Sequence, residues 1–168
     1  MINQEKLIDR MHGVENIIGY KFKNITYLMT AMNRTKVPGK FGGKHNKTYL
    51  NETYALIGDP IIKIVLSETL LNKGFKTKGE ITIIKQNIED NDTFHIVSQE
   101  CGLTKYAYNI EHFADDSNLL PNEQVSNNGH DSFIEAITGA IYFDSDFSTA
   151  YDWVSKWLFD KIDLEVLK

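Results

Sequence analysis

The sequence predicts an all-α fold, on three observations. Successive stretches carry apolar residues at helical spacing, and no stretch alternates apolar and polar residues as a half-buried strand would. Two strongly apolar segments, 51–66 and 130–142, each also carry a pair of acids. In the first, Glu52 and Asp59 are seven residues apart, close to two helical turns, so both carboxylates share one face. In the second, Asp131 and Glu135 are four apart and therefore neighbours on a helix surface. Two apolar helices, each with two carboxylates near a glycine, are the ingredients of a divalent-cation site between helices. Hard cations such as Mg2+ take oxygen ligands, and packed carboxylates supply them.

Bulk composition sets the frame. A chain of 168 residues, 42% hydrophobic and 24% charged, is expected to form one domain, 1–168, with a substantial core. The single Cys101 has no internal disulfide partner, which favours a reducing compartment. The segment 1–6 lacks an apolar signal core and no run approaches membrane-spanning length, so a cytoplasmic protein without a membrane partner is expected. The net charge of -5, from 18 Lys+Arg against 23 Asp+Glu, argues against coating nucleic acid by charge alone. It leaves a nucleic-acid enzyme open, because a metal site consumes acids and one basic loop can meet phosphates.

Taken in order, residues 3–12 form a first helix on Leu7, Ile8 and Met11, stopped by Gly13. A short helix follows, with a turn at Gly19 and the aromatic pair Tyr20 and Phe22. A further helix over about 25–33 places Ile25, Leu28, Met29 and Met32 on one side. The stretch 34–47 then changes character: it holds Arg34, Lys36, Lys40, Lys44 and Lys47 with His45 and no acid, and its Pro38, Gly39, Gly42 and Gly43 oppose regular structure. It reads as a basic loop, either a solvated connection or a set of phosphate contacts leading into the first acidic helix. Helix 49–73 is expected to be buried through Ile61, Ile62, Ile64, Val65, Leu66, Leu70 and Leu71, with a kink or restart at Pro60. Helices over about 80–90 and 93–100 follow, the latter with Phe94, Ile96 and Val97 inward, and 104–129 is a long polar connection. The second acidic helix runs to about Phe143, and a last amphipathic helix covers 147–160.

Several of these fragments resemble the ribonuclease III endonuclease domain. Ile17-Ile18-Gly19-Tyr20-Lys21-Phe22-Lys23-Asn24 is similar to its opening motif, and residues 51–59 to its signature helix, usually Asn-Glu-Arg-Leu-Glu-Phe-Leu-Gly-Asp. Lys78-Gly79-Glu80-Ile81-Thr82 resembles the Glu-Gly-Glu-Leu-Thr turn, residues 91–103 the next helix, and residues 135–142 the second acidic helix. The resemblance spans nearly the whole chain in family order. It implies a ribonuclease III-like helical bundle and a homodimeric Mg2+-dependent enzyme, with Mn2+ as a substitute ion, that cuts both strands of double-stranded RNA. It implies metal-holding, catalytic roles for Asp59, Glu135 and Glu52, phosphate contacts from the basic loop, and a dimer seam at Leu56, where the family carries Phe. Asp131, one residue off the family's Asp position, joins them because spacings of three and four both keep side chains on one helix face. Three positions depart from the pattern. Ala55 replaces the second signature Glu, Ser132 stands where an Asp is usual, and Lys78 replaces the first Glu of the turn. These departures carry the alternative reading, a ribonuclease III-fold RNA-binding or scaffold protein with impaired cleavage.

Overall fold

The computed structural model describes residues 4–38, 47–90, 92–109 and 132–164. Helix α1, Gln4–Ile18, buries Leu7, Met11, Val14 and Ile18. It runs straight through Gly13, where a stop was expected. A side chain there would press on the Tyr106 ring, 2.8 Å from Cζ, so Gly13 serves close packing inside the helix. The stop comes at Gly19, whose φ of 66° only glycine adopts freely and whose N–H closes onto the Glu15 carbonyl at 2.9 Å. Helix α2, Ile25–Ala31, starts at Asn24, whose side chain accepts the Thr26 N–H at 3.1 Å.

The flanks of the basic stretch are more regular than their glycines suggested. Strands β1, Lys36–Pro38, and β2, Lys47–Tyr49, pair antiparallel with Lys36 opposite Tyr49. Three residues per strand are too few to show alternation, and Pro38 is tolerated because a two-stranded ribbon has only edges. Residues 39–46, with Lys40, Lys44 and His45, lie outside the described residues.

Helix α3, Glu52–Asn72, is unbroken across Pro60, without the expected restart. Proline removes the N–H that would reach the Leu56 carbonyl. Leu56 is 76% exposed and Pro60 is exposed too, so the lost hydrogen bond falls on the outer face of the helix. Ile64 and Leu71, expected inside, are exposed on this helix, while Ile61, Ile62, Val65, Leu66 and Leu70 are buried. Helix α4, Lys78–Asp90, begins with a reciprocal cap. The Thr77 hydroxyl accepts the Glu80 N–H at 3.2 Å, and the Glu80 carboxylate accepts the Thr77 N–H at 3.0 Å. Helix α5, Thr93–Glu100, buries Val97 but exposes Ile96, contrary to expectation. The start of the stretch read as a structureless connection holds a 3-10 turn, Thr104–Tyr106, and Tyr108 bridges to Asn33. The segment 110–131 lies outside the described residues.

Helix α6, Phe133–Asp144, is the most deeply buried element, with Phe133, Ile134, Ala136, Ile137, Ala140 and Ile141 inside. Its C-terminus is tied to the α1–α2 turn through Asp144, which accepts from Tyr20 Oη at 2.8 Å and from the N–H groups of Lys23 and Asn24 at 3.0 and 2.8 Å. Helix α7, Phe147–Trp153, continues into a π-helical turn, Val154–Leu158, and a 3-10 turn, Phe159–Lys161, so the expected last helix is present with a changing pitch.

The architecture is thus a helical bundle centred on the packing of α3 against α6, and the small hairpin is its one strand pair among the described residues. Each fully buried Leu, Ile or Val contributes about 1.5–3 kcal/mol by leaving water, which makes this pair of helices the stiff frame of the molecule. Their crossing is close because it is built from glycines. A Cβ on Gly58 would collide with the Glu135 carbonyl, and one on Gly139 with the Tyr54 carbonyl. No described helix is long and apolar enough to cross a membrane.

Candidate metal and active site

Asp59 follows Gly58 along α3, and Glu135 supplies the carbonyl that Gly58 touches. The crossing therefore delivers both acids to one place. They line a single pocket of about 310 Å3 together with Lys63, Glu89, Asp92, His95 and Ser132. Within it, Lys63 Nζ lies 2.9 Å from Asp59 Oδ2 and 3.4 Å from Glu89 Oε1. The hydrogen bond to Asp59 outweighs the opposing effect of burial and holds the Lys63 ammonium above its ordinary range, so it is charged at neutral pH.

The pocket wall also has unusual backbone. Asp92 and Ser132, at φ 49° and 56°, are the non-glycine residues with positive φ among those described, and both line this pocket. The left-handed region disfavours L side chains by about 1–2 kcal/mol per residue. They stand immediately before α5 and α6, so the chain turns sharply into both helices at the pocket edge.

Of the expected site residues, Asp59 and Glu135 are brought together, and Asp131 lies outside the described residues. Glu52 does not line the pocket. Its carboxylate accepts from the Thr48 hydroxyl and from the Tyr49 N–H, the latter at 3.2 Å, fastening β2 to the start of α3. The helical wheel explains the correction. Seven residues return to the same face but climb about 10 Å along the axis, too far to share one ion with Asp59.

Arg34 also needs correcting. It was expected among the phosphate contacts, yet it is 1% exposed. Its guanidinium lies 3.5 Å from the centre of the Tyr49 ring, and Nη1 donates to Asn51 Oδ1 at 3.3 Å. A planar, weakly hydrated cation can be buried against aromatic faces where an ammonium could not, so Arg34 joins the hairpin to the α3 start. Lys36 is exposed, with Nζ 5.8 Å from the Tyr49 ring centre, and Lys47 opens β2. Leu56 is exposed on α3 and Ala55 is half-buried, one turn before Asp59.

Sequence reasoning missed Lys63, Glu89, Asp92 and His95. Lys63 carried a readable signal, four residues after Asp59 on the same helix. Glu89 and Asp92 read as a helix end, and only the packing of α4 and α5 beside α3 and α6 turns them into pocket wall.

The donor set can be judged by its chemistry. Among the described residues, no three His, Cys, Asp or Glu side chains are grouped to hold a metal ion. Mg2+ does not require such a cage: it keeps several waters and binds through one or two carboxylates plus substrate phosphates. Asp59 and Glu135 fit that demand.

Fold and pocket together define an α-helical domain whose two central helices bring paired carboxylates into one open cleft. The chain belongs to the Ribonuclease-III-like family, whose model matches residues 41–162. Ribonuclease 3 of Shewanella baltica strain OS185 is 30% identical over 151 residues, covering 86% of this chain and 58% of the relative. Ribonuclease 3 of Rickettsia bellii is 27% identical over 156 residues, covering 89% of this chain and 63% of the relative. The chain thus spans about three-fifths of the length of these curated relatives. Two structures of the nuclease domain of ribonuclease III from Campylobacter jejuni share the fold. One, described for structural flexibility in the region involved in dimer formation, gives a TM-score of 0.64 at 18% identity, covering 92% of this chain and 98% of that one. The other gives 0.59 at 21% identity, covering 97% and 100%.

Proposed function

We propose that this chain is an Mg2+-dependent endoribonuclease that hydrolyses double-stranded RNA as a homodimer in the cytoplasm. The observation carrying this reading is the glycine crossing of α3 and α6, which places Asp59 and Glu135 on one pocket. Both residues would hold the ion, and Asp131, preceding α6 in the sequence, would supply a further carboxylate. When bound, the ion activates a water and offsets charge on the phosphate. The chain's own residues align the scissile phosphodiester over the pocket. Water attacks phosphorus and gives up a proton to solvent, the bond to the 3′-oxygen breaks, and that oxygen leaves as a hydroxyl after taking a proton from solvent. The 5′-phosphate stays on the downstream strand. Lys36, Lys40, Lys44 and Lys47 supply phosphate contacts along the duplex, whose shape is read without base specificity. Arg34 and Glu52 support the base of this basic arm from inside the protein.

Dimerisation is supported by α3 itself. Leu56, Ile57, Ile64 and Leu71 are exposed apolar residues on one helix, an unusual concentration for a surface facing water. A second copy packed on this face would align two pockets on one duplex, so each strand meets one site.

Ala55 favours a second reading, an RNA-binding scaffold without cleavage, because the acid usual at that position is missing. One experiment separates the two. Purified protein is incubated with a long RNA duplex and Mg2+, with Glu135→Gln in parallel. Cutting that needs Mg2+ and is lost by at least about 100-fold in the variant supports the enzyme. Intact duplex retained on a native gel supports the scaffold, and duplex neither cut nor retained sinks both.

A further inference from the structure

Lys63 is the cationic side chain of the pocket, and the proposed chemistry leaves it without a task. Its ammonium lies between two carboxylates, 2.9 Å from Asp59 and 3.4 Å from Glu89, in the same cleft as Glu135. This is a cation's position, filled by a side chain. One helical turn before Asp59 stands Ala55, which supplies no carboxylate, and one turn after it stands Lys63, which supplies a positive charge. Nucleases that use two metal ions set them about 3.5–4 Å apart on shared carboxylates. A second ion at that distance from one held by Asp59 and Glu135 would need acids of its own. Glu89, a further acid of the pocket, is already paired with the Lys63 ammonium, and such an ion would meet that ammonium.

We propose that Lys63 takes the place of a second metal ion, so that each pocket works with one divalent ion and one built-in ammonium. The inference rests on the nuclease reading above and assigns the pocket's second positive charge. Asp59 would help to hold the divalent ion while pairing with Lys63 through Oδ2, and Glu89 keeps the ammonium from swinging into solvent. With duplex bound, the ammonium donates a hydrogen bond to a non-bridging phosphate oxygen. It transfers no proton: it offsets the negative charge on the phosphoryl oxygens as water adds and the 3′-oxygen departs. An ammonium on a flexible stem suits this task as a compact point charge. Because Lys63 is 43% exposed, its replacement does not threaten the core.

The test counts ions as well as activity. Mn2+ binding to the intact chain with a non-cleavable phosphorothioate duplex is measured by electron paramagnetic resonance, for the natural chain, Lys63→Met and Lys63→Glu. The natural chain should hold one Mn2+ per chain at saturation. Lys63→Glu, which removes the ammonium and adds a carboxylate, should hold two. Lys63→Met should lower kcat by about 100-fold, the scale for losing one preorganised charge at a reacting centre, with KM for the duplex within a few-fold of the natural value. Two Mn2+ on the natural chain, one on Lys63→Glu, or unchanged kcat in Lys63→Met would each overturn the proposal. A natural chain that cuts duplex while holding two Mn2+ overturns the role of Lys63 and leaves the nuclease reading standing. A natural chain that holds no Mn2+ and leaves duplex intact overturns both.

Discussion

Replacing Gly58 with alanine adds one methyl group at the tightest point of the α3–α6 crossing. That methyl carbon would lie 2.6 Å from the Glu135 carbonyl carbon and 3.0 Å from the Gly139 nitrogen, where ordinary contact begins near 3.4 Å. Both obstacles are backbone, so no side chain can turn aside and the helices must separate. Overpacking of a filled core costs about 1–3 kcal/mol, and a backbone clash belongs at the upper end. Alanine recovers about 1 kcal/mol of helix propensity over glycine. The balance is a loss of about 2 kcal/mol, or a Tm lowered by about 4–8 °C for a chain of this size. Gly79→Ala is the control, since its nearest neighbour is Thr77 Oγ1 at 3.9 Å, and it should be neutral or stabilising by about 0.5 kcal/mol. Thermal and urea unfolding measure both, and Mn2+ titration of the folded protein measures the consequence for the pocket. Separating α3 from α6 moves Asp59 away from Glu135, so Gly58→Ala should weaken Mn2+ binding below the unfolding range while Gly79→Ala should not. A Gly58→Ala protein as stable as the natural chain, with unchanged Mn2+ affinity, refutes the claim that this crossing builds the site.

Other substitutions probe separate features of the molecule. Leu56→Asp should leave chain stability within about 0.5 kcal/mol, as for an exposed position, but shift sedimentation from dimer to monomer; a dimer that persists removes α3 as the seam. Arg34→Ala should destabilise by about 3 kcal/mol, combining a desolvated cation–π contact of about 2 with a hydrogen bond of about 1. Urea titration should show that loss, whereas a fully stable variant with weakened RNA retention would return Arg34 to the phosphate contacts. Asp144→Asn tests pH linkage. Burial pulls the Asp144 carboxyl upward, but the Lys23 and Asn24 N–H groups and the Tyr20 hydroxyl hold it, on balance, below its usual range. Its contribution is therefore present above the unfolded value of about 3.9 and lost as pH falls through the lower folded value. The gap in urea midpoint between natural chain and variant should be widest near neutrality and shrink toward about pH 3, and a pH-independent gap would contradict this.

Much of the bundle was legible because periodicity records burial directly. The positions of α3 and α6 follow from their apolar runs, and Asp59 and Glu135 stood out because an acid inside such a run needs a reason. Where the reading failed, a local rule was overruled by a distant partner. Gly13 ends no helix because Tyr106 packs on it, and Ile64 and Leu71 are apolar without being buried. Arg34 belonged by composition to a basic loop, but Tyr49 and Asn51 carry it into the interior.

By itself the sequence determined which segments are helical, which faces are apolar and which acids sit among them, since these depend on neighbours a few residues away. Only the tertiary structure decided which acids meet. Glu52 and Asp59 share a face yet part company along the helix axis. Asp59, Lys63, Glu89 and Glu135, drawn from three helices, line one cleft because two glycines let α3 and α6 approach until their backbones touch. That approach is a property of the packed chain, and no spacing within one helix encodes it.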